Sequence, residues 1–379
     1  MNQVEVYGAV QDLFSQTAAR FAGSTAVESG GRRVTYGELD ARAERLASAL
    51  TSLGAAAGSM VGVFTNDPVE VITSILGSLK AGAVFCPLDP SFPEKRLEVM
   101  FASISPRWCV TEARHHARLL RLAESAGAPT PEIILLDQDL AAGAGLRPGP
   151  RPTAFPDPEA PCSIYFTSGS TGKPKAILGK LKGIDHYVRW EIDALGVGPG
   201  TRVSQLASPS FDGFLKDAFV PLCAGGTVCA PESRDVVLDA SRLVDWLNAE
   251  QIEVLHCVPS VFRSIINEGV DDRHFAAMRY VVTAGEALLP SDVKRWMDAF
   301  GERVRLVNLY GPTETTILKL FHFVKPEDAA RPSIPIGKPM KGAAVLVVDQ
   351  QNQPCAVGDV GEIYIRTPYC AHGYHGEPA

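Results

Sequence analysis

The chain lacks any run of 18 uncharged apolar residues, so no segment reads as a membrane-spanning helix. Its opening, Met1-Asn2-Gln3-Val4-Glu5-Val6, has neither the basic stretch nor the apolar run of a secretory leader. There is no basic tract, and the net charge of −7 argues against a nucleic-acid backbone as partner. The cysteines (Cys86, Cys109, Cys162, Cys223, Cys229, Cys257, Cys355 and Cys370) are scattered, and no CxxC pair is followed by a second, which excludes a zinc ribbon. Scattered cysteines without a leader lead to the expectation of a cytoplasmic protein with reduced thiols. No period repeats along the chain, so a solenoid is excluded. What is present is 379 residues that are 46% hydrophobic and 21% charged, ample for two or more domains or one large α/β body.

Short β-branched runs alternate with amphipathic stretches through most of the chain. Residues 60–65, 108–111, 132–136, 202–205, 254–258, 280–283 and 305–308 read as strands, with helices over 68–80 and 114–126. Such alternation predicts βαβ units and largely parallel sheets. Beyond Pro339 the pattern changes, and 343–348 and 361–366 read as antiparallel strands. A Gly/Pro/Ala-rich stretch over 141–161 marks a lobe boundary. The expected division is a first α/β lobe over 1–160, a second over 161–338 and a β lobe over 339–379.

The strongest local signal is IYFTSGSTGKPK over 164–175: an apolar strand, then Thr167, Ser168, Gly169, Ser170, Thr171, Gly172, Lys173, Pro174 and Lys175. Glycines let backbone N–H groups approach an anion, hydroxyls add donors and lysines add charge, a combination suited to a triphosphate. It is not a Walker A loop: no glycine stands five residues before Gly172, and Pro174 occupies the Ser/Thr position.

The stretch TSGSTGKPK (167–175) resembles the phosphate-binding signature of the adenylate-forming superfamily of acyl-CoA ligases, luciferases and peptide-synthetase adenylation domains. Further stretches resemble that superfamily's motifs in the same order: VTYGEL (34–39), LKAG through PLDP (79–90), NLYGPTETT (308–316) and GDVGEI (358–363). The PLDP form is similar to the peptide-synthetase branch. The resemblance implies the large N-terminal subdomain of an adenylation domain: two βαβ-type sheets sandwiched by helices, plus a small distorted β-barrel lobe. Ala176 departs from the family's usual glycine, and the family's later YRTGDL motif does not occur. The expectation is therefore that the C-terminal subdomain is absent and that this chain alone is weak or inactive.

By the same resemblance, Mg-ATP is the cofactor and an aminoacyl-AMP the product. Thr167 to Lys173 would close over the β- and γ-phosphates. Tyr310 would stack on adenine, Asn308 would bond its amino group, and Ala284, Gly285, Glu286 and Gly311 would line its edge. Thr313 would contact the α-phosphate and Glu314 would hold Mg²⁺, as a hard cation prefers oxygen ligands. Thr167, Lys173, Thr313 and Glu314 are the expected catalytic set. The structural alternative for Tyr310-Gly311-Pro312 is a turn, and for Glu314 a first-turn helix acid.

The expected substrate-lining positions are Asp212, Gly213, Lys216, His256, Val282, Ala284, Leu309, Ile317 and Leu318. Asp212 would pair with a substrate α-ammonium, which makes a buried carboxylate tolerable. Lys216 could instead form an i,i+4 pair with Asp212, and His256 could be a satisfied core residue. Together the two could hold a second carboxylate, giving an Asp- or Glu-like substrate activated through its side-chain carboxyl. The implied partners are an amino acid and a phosphopantetheine-bearing peptidyl carrier, with room for a condensation domain and a small helper protein. Rival readings are an acyl- or aryl-CoA ligase, a neutral amino acid as substrate, and a non-catalytic docking scaffold.

Overall fold

The computed structural model describes residues 8–140, 157–168 and 174–376. Two large sheets organise them. The nine-stranded sheet runs Lys338–Pro339, Leu320–Phe323, Arg305–Tyr310, Tyr280–Thr283, Val254–Cys257, Arg202–Ser204, Thr227–Ala230, Thr25–Ser29, Arg32–Thr35. It is parallel from Arg305–Tyr310 to Thr25–Ser29, with antiparallel strands at both edges. The seven-stranded sheet runs Gly373–Tyr374, Pro174–Lys180, Pro161–Ser168, Val84–Pro87, Met60–Phe64, Trp108–Thr111, Glu132–Leu135. A separate antiparallel ribbon joins Ala344–Val348 to Glu362–Arg366. The fold is thus α/β with largely parallel sheets, as the alternation predicted, and the predicted strand positions hold to within two residues.

The expected division at residue 160 falls between strands, and each sheet draws strands from both sides of it. Strands from residues 25–35 pair into the nine-stranded sheet, while Pro161–Ser168 and Pro174–Lys180 complete the seven-stranded one. Parallel strands need crossover connections, so the order along the chain and the order in a sheet part company.

Between the sheets lie helices Pro68–Lys80, Leu181–Leu195 and Gly213–Ala224, sharing one hydrophobic core with both. Pro68–Lys80 is buried on every side from Val69 to Leu79, as a helix covered on all faces must be. Asp67 starts it by accepting from the amides of Val69 and Glu70, with Pro68 in the first turn, where a missing N–H costs nothing. A second core, centred on Trp296, Phe262 and Phe300, covers the other face of the nine-stranded sheet.

Several motifs that carry the resemblance have structural work here. In VTYGEL, Thr35 and Glu38 form a reciprocal capping box at the start of helix Tyr36–Ser52. Tyr36 lies buried and donates its hydroxyl hydrogen towards the carbonyls of Gly226, 2.7 Å, and Pro221, 3.2 Å. In PLDP, buried Asp89 accepts from the Ser208 hydroxyl at 2.6 Å and its amide donates to Ser210 Oγ at 2.9 Å. That joins the end of a strand in one sheet to the loop preceding Asp212. In GDVGEI, a Cβ at Gly361 would stand 2.3 Å from the Val348 carbonyl, so only glycine fits.

Tyr36→Phe is expected to lower unfolding free energy by about 1–2 kcal/mol, since it strands a buried acceptor, without altering ligand affinity. Urea denaturation paired with Mg-ATP calorimetry checks both halves.

Candidate active site

The site gathers at the carboxyl ends of the parallel strands, where open α/β sheets place ligands. Strand Arg305–Tyr310 ends on Tyr310, which is 37% exposed with its ring available for stacking. Asn308, one turn of the pleat earlier, is buried and donates through Nδ2 to the Pro335 carbonyl at 3.0 Å. Its Oδ1 remains an acceptor, the group an adenine amino hydrogen requires. Strand Tyr280–Thr283 leads to Ala284, Gly285 and Glu286. The Glu286 carboxylate is committed to Ser260, accepting from its amide at 2.9 Å and its hydroxyl at 3.0 Å, which leaves the exposed backbone as the rim. Gly311 is required by close approach: a Cβ there would sit 2.8 Å from Leu318 Cα.

Strands Pro161–Ser168 and Pro174–Lys180 pair antiparallel as far as Thr167 with Lys175 and Ser168 with Pro174. Gly169, Ser170, Thr171, Gly172 and Lys173 lie outside the described residues, so the expected phosphate cradle is bracketed by its two strands. Lys175 places its ammonium 4.5 Å from the Tyr374 ring centre. Tyr374 donates its hydroxyl hydrogen to Glu314 Oε1 at 2.8 Å. This tyrosine, unnoticed in the sequence, orients the expected metal ligand. Among the described residues no group of three or more His, Cys, Asp or Glu could hold a metal by itself. A single carboxylate fits Mg²⁺ that arrives with nucleotide phosphates, since that ion usually keeps water and phosphate ligands.

Asp212 stands at the head of helix Gly213–Ala224 but does not cap it. Its Oδ2 accepts from the Ile317 amide at 3.2 Å, and the Thr313 hydroxyl donates to it as well. Burial pushes its carboxyl up to about 6, against the pull of those donors and of Lys319. It faces a small cavity shared with Ser163, Tyr165, Gly179, Leu215, Thr313 and Thr316. The turn that supplies the Ile317 amide is strained: Thr316 has φ +65° and Ile317 φ +62°, and both are β-branched. Such residues cost about 1–3 kcal/mol each and concentrate at functional sites.

Lys216 and His256 meet, but not as expected. Lys216 is buried and bonds Asp217 Oδ1 at 2.8 Å, so the i,i+4 pair with Asp212 is not formed. His256 lies between two acids: Nε2 is hydrogen-bonded to Glu191 Oε1 at 2.5 Å, while Nδ1 lies 3.1 Å from Asp217 Oδ1, at ion-pair distance but without hydrogen-bond geometry. Burial and Lys216 oppose its protonation, yet the two carboxylates outweigh them and its pKa is raised. Asp217 also accepts from the amides of Leu206 and Ala207 at 3.2 and 3.1 Å. The ring sits against Glu191 and Asp217, beside the Lys216 with which it was expected to hold a second carboxylate. Of the remaining lining positions, Val282, Leu309, Ile317 and Leu318 are buried, and Ala284 and Gly213 are partly so. Glu191 and Asp217 were not foreseen, although Asp217 adjoins Lys216.

With the geometry in place, known proteins supply the family. The model of the AMP-binding enzyme family matches residues 14–375. The chain belongs to the AMP-binding enzyme family. Among relatives of this AMP-binding enzyme, syringomycin synthase SyrB1 of Pseudomonas syringae pv. syringae is 31% identical over 96% of this chain and 58% of its own length. Tyrocidine synthase 2 of Brevibacillus parabrevis is 32% identical over 97% of this chain and 10% of its own. The chain thus spans from a tenth to under two thirds of these relatives. A solved nonribosomal peptide synthetase, FmoA3 in its alpha-methyl-L-serine-AMP bound form, superposes with a TM-score of 0.87 at 26% identity, over 100% of this chain and 41% of that one. No helix among the described residues of this AMP-binding enzyme is long and apolar enough to cross a membrane.

Because Asp212 is neutral below about pH 6 and anionic above it, affinity for an ammonium-bearing ligand is expected to be flat above about pH 7 and to fall about tenfold per unit below about pH 5.5. Asp212→Asn should bind weakly with no such inflexion. Calorimetry across the range, wild type beside variant, checks the sign.

Proposed function

We propose that this chain activates an α-amino acid as its aminoacyl-AMP. The substrate carboxylate oxygen attacks the α-phosphorus of ATP, the bond to the β-phosphate oxygen breaks, and pyrophosphate leaves. The observation that carries this reading is Asp212, a desolvated carboxylate with no cationic partner at bonding distance among the described residues, held by Thr313 and Ile317 on the same loop as Glu314. A partly buried carboxylate held in an apolar setting is costly until it meets a cation, and an amino acid brings one beside the reacting carboxyl. The adenylate bound by FmoA3 is an amino acid adenylate, which supports the same chemistry for a relative.

Thr313 and the residues from Thr167 to Lys173 would hold the phosphates, Tyr310 and Asn308 the adenine. Glu314, oriented by Tyr374, would hold Mg²⁺, which supplies charge neutralisation on the phosphate oxygens. The product would then pass to the phosphopantetheine thiol of a peptidyl carrier, with a condensation domain and a small helper protein as further partners.

For the side chain, Lys216 uses one N–H on Asp217 and keeps two donor hydrogens for an acceptor. An Asp- or Glu-like substrate, activated at its side-chain carboxyl, is the reading that uses the lysine's charge. One observation favours a neutral acceptor instead: Lys216 and protonated His256 are already balanced by Asp217 and Glu191. A carboxylate would make the anions outnumber the cations.

Calorimetry with Mg-ATP and then with the sulfamoyl adenylate analogues of aspartate, glutamate, asparagine, glutamine, leucine and benzoate tests these readings. Amino acid analogues are expected to bind at least about tenfold tighter than benzoyl, about 1.4 kcal/mol. Tighter benzoyl binding would sink the amino acid assignment. Lys216→Ala is expected to weaken the acidic analogues about tenfold and leucyl by less than about twofold; a uniform loss would remove Lys216 from side-chain recognition. Acceptance of carrier phosphopantetheine over free coenzyme A separates a peptide-synthetase role from an acyl-CoA ligase.

A further inference from the structure

Lys319 is completely buried, in the apolar run Ile317-Leu318-Lys319-Leu320-Phe321, immediately after the loop that holds Thr313, Glu314 and Ile317. A buried lysine is costly and usually has a task. Its ammonium donates to the Thr316 carbonyl at 2.6 Å and to the Leu318 carbonyl at 3.1 Å. These carbonyls flank Ile317, whose amide is the one that holds Asp212. Both Thr316 and Ile317 sit at positive φ, a conformation that β-branched residues abandon unless the surroundings over-determine it. The Thr316 hydroxyl has no hydrogen-bond partner among the described residues, so its side chain does not supply that constraint through a bond. Helix Leu181–Leu195 approaches from behind, and a Cβ at Gly183 would stand 2.7 Å from Thr316 Oγ1. The backbone of Lys319 is pinned too, its amide donating to the Tyr310 carbonyl at 3.0 Å and its carbonyl accepting from Met340 at 2.8 Å.

We propose that Lys319 is a positioning residue for recognition of the substrate's α-ammonium: it clamps the strained Thr316–Ile317 turn so that the Ile317 amide fixes the Asp212 carboxylate. This rests on the reading of Asp212 given above. The backbone bond from Lys319 to Tyr310 survives any side-chain change, so the adenine side of the site keeps its anchor when the clamp is removed. Binding should therefore split, with the ammonium subsite affected and the nucleotide subsite spared. A purely structural lysine would lower stability and leave that ratio unmoved.

The test uses the full chain and two probes that differ only in the amino group, glycyl sulfamoyl adenosine and acetyl sulfamoyl adenosine, so the identity of the side chain does not enter. Wild type is expected to prefer glycyl by about tenfold or more. In Lys319→Met the preference is expected to fall to within about twofold of unity, with Mg-ATP affinity changed by less than about twofold. Thr316→Gly, which makes positive φ easy, is expected to restore part of the preference in the Lys319→Met background. Should Lys319→Met not fold, Lys319→Gln, which keeps amide donors without the charge, carries the same comparison with an expected loss of about threefold. An undiminished glycyl preference in either folded variant, or equal losses for glycyl, acetyl and Mg-ATP, overturns the inference. A wild type that does not distinguish glycyl from acetyl overturns the reading of Asp212 itself, and this inference with it.

Discussion

The loop between strands Arg305–Tyr310 and Leu320–Phe323 has to return on itself tightly enough for the Ile317 amide to reach Asp212, which the helix Gly213–Ala224 brings from the opposite side. Much of the site is arranged around that contact. It forces Thr316 and Ile317 into a conformation β-branched residues avoid, demands glycine at 311 where the loop crosses its own return, and demands glycine at 183 where a helix passes behind. The strained turn, the buried lysine beneath it and the absent side chains around it answer one geometric requirement. That requirement holds the Asp212 carboxylate at the head of its helix, facing the cavity.

A second constraint comes from charge. The chain buries Lys216, Asp217, Glu191 and His256 in contact with one another between two helices and a strand. Each ion would be expensive by itself, and removing one partner would leave an uncompensated charge. The set is balanced when His256 is protonated, and the two flanking carboxylates favour that state against burial. His256 therefore steadies its two acidic neighbours, and Lys216 is the member with donor hydrogens to spare. Residues at lining positions need not all touch a ligand. Some exist to make the neighbours tolerable.

The two sheets depend on each other in a way that a linear division conceals. Asp89, at the end of a strand in the seven-stranded sheet, binds Ser208 and Ser210 in the loop that leads to Asp212. Tyr36, at the start of helix Tyr36–Ser52, reaches the carbonyls of Pro221 and Gly226 where helix Gly213–Ala224 turns into a strand of the nine-stranded sheet. These are buried hydrogen bonds whose loss would leave acceptors stranded. The site is assembled from both sheets, so its geometry follows how they pack.

Much was legible in the residues alone. The alternation of β-branched runs with amphipathic stretches located the strands because a parallel strand buried on both faces must be apolar, whatever its neighbours. The glycines, hydroxyls and lysines of 167–175, and the acid in GPTE, pointed to a phosphate-binding chemistry because those groups have few other uses together. Spacing could not say which strand lies beside which, since crossovers separate chain order from sheet order. Nor could it say where a charge finds its partner. Lys216 met Asp217 instead of Asp212, Glu191 came from a distant helix, Tyr374 turned up beside Glu314, and Lys319 proved to be an interior clamp despite its apolar setting in plain view. Composition and periodicity determined what kinds of groups this protein can bring to a ligand. Only the packing of two sheets decided which of them face it, because a partner's distance depends on the whole chain's path and not on the residues nearby.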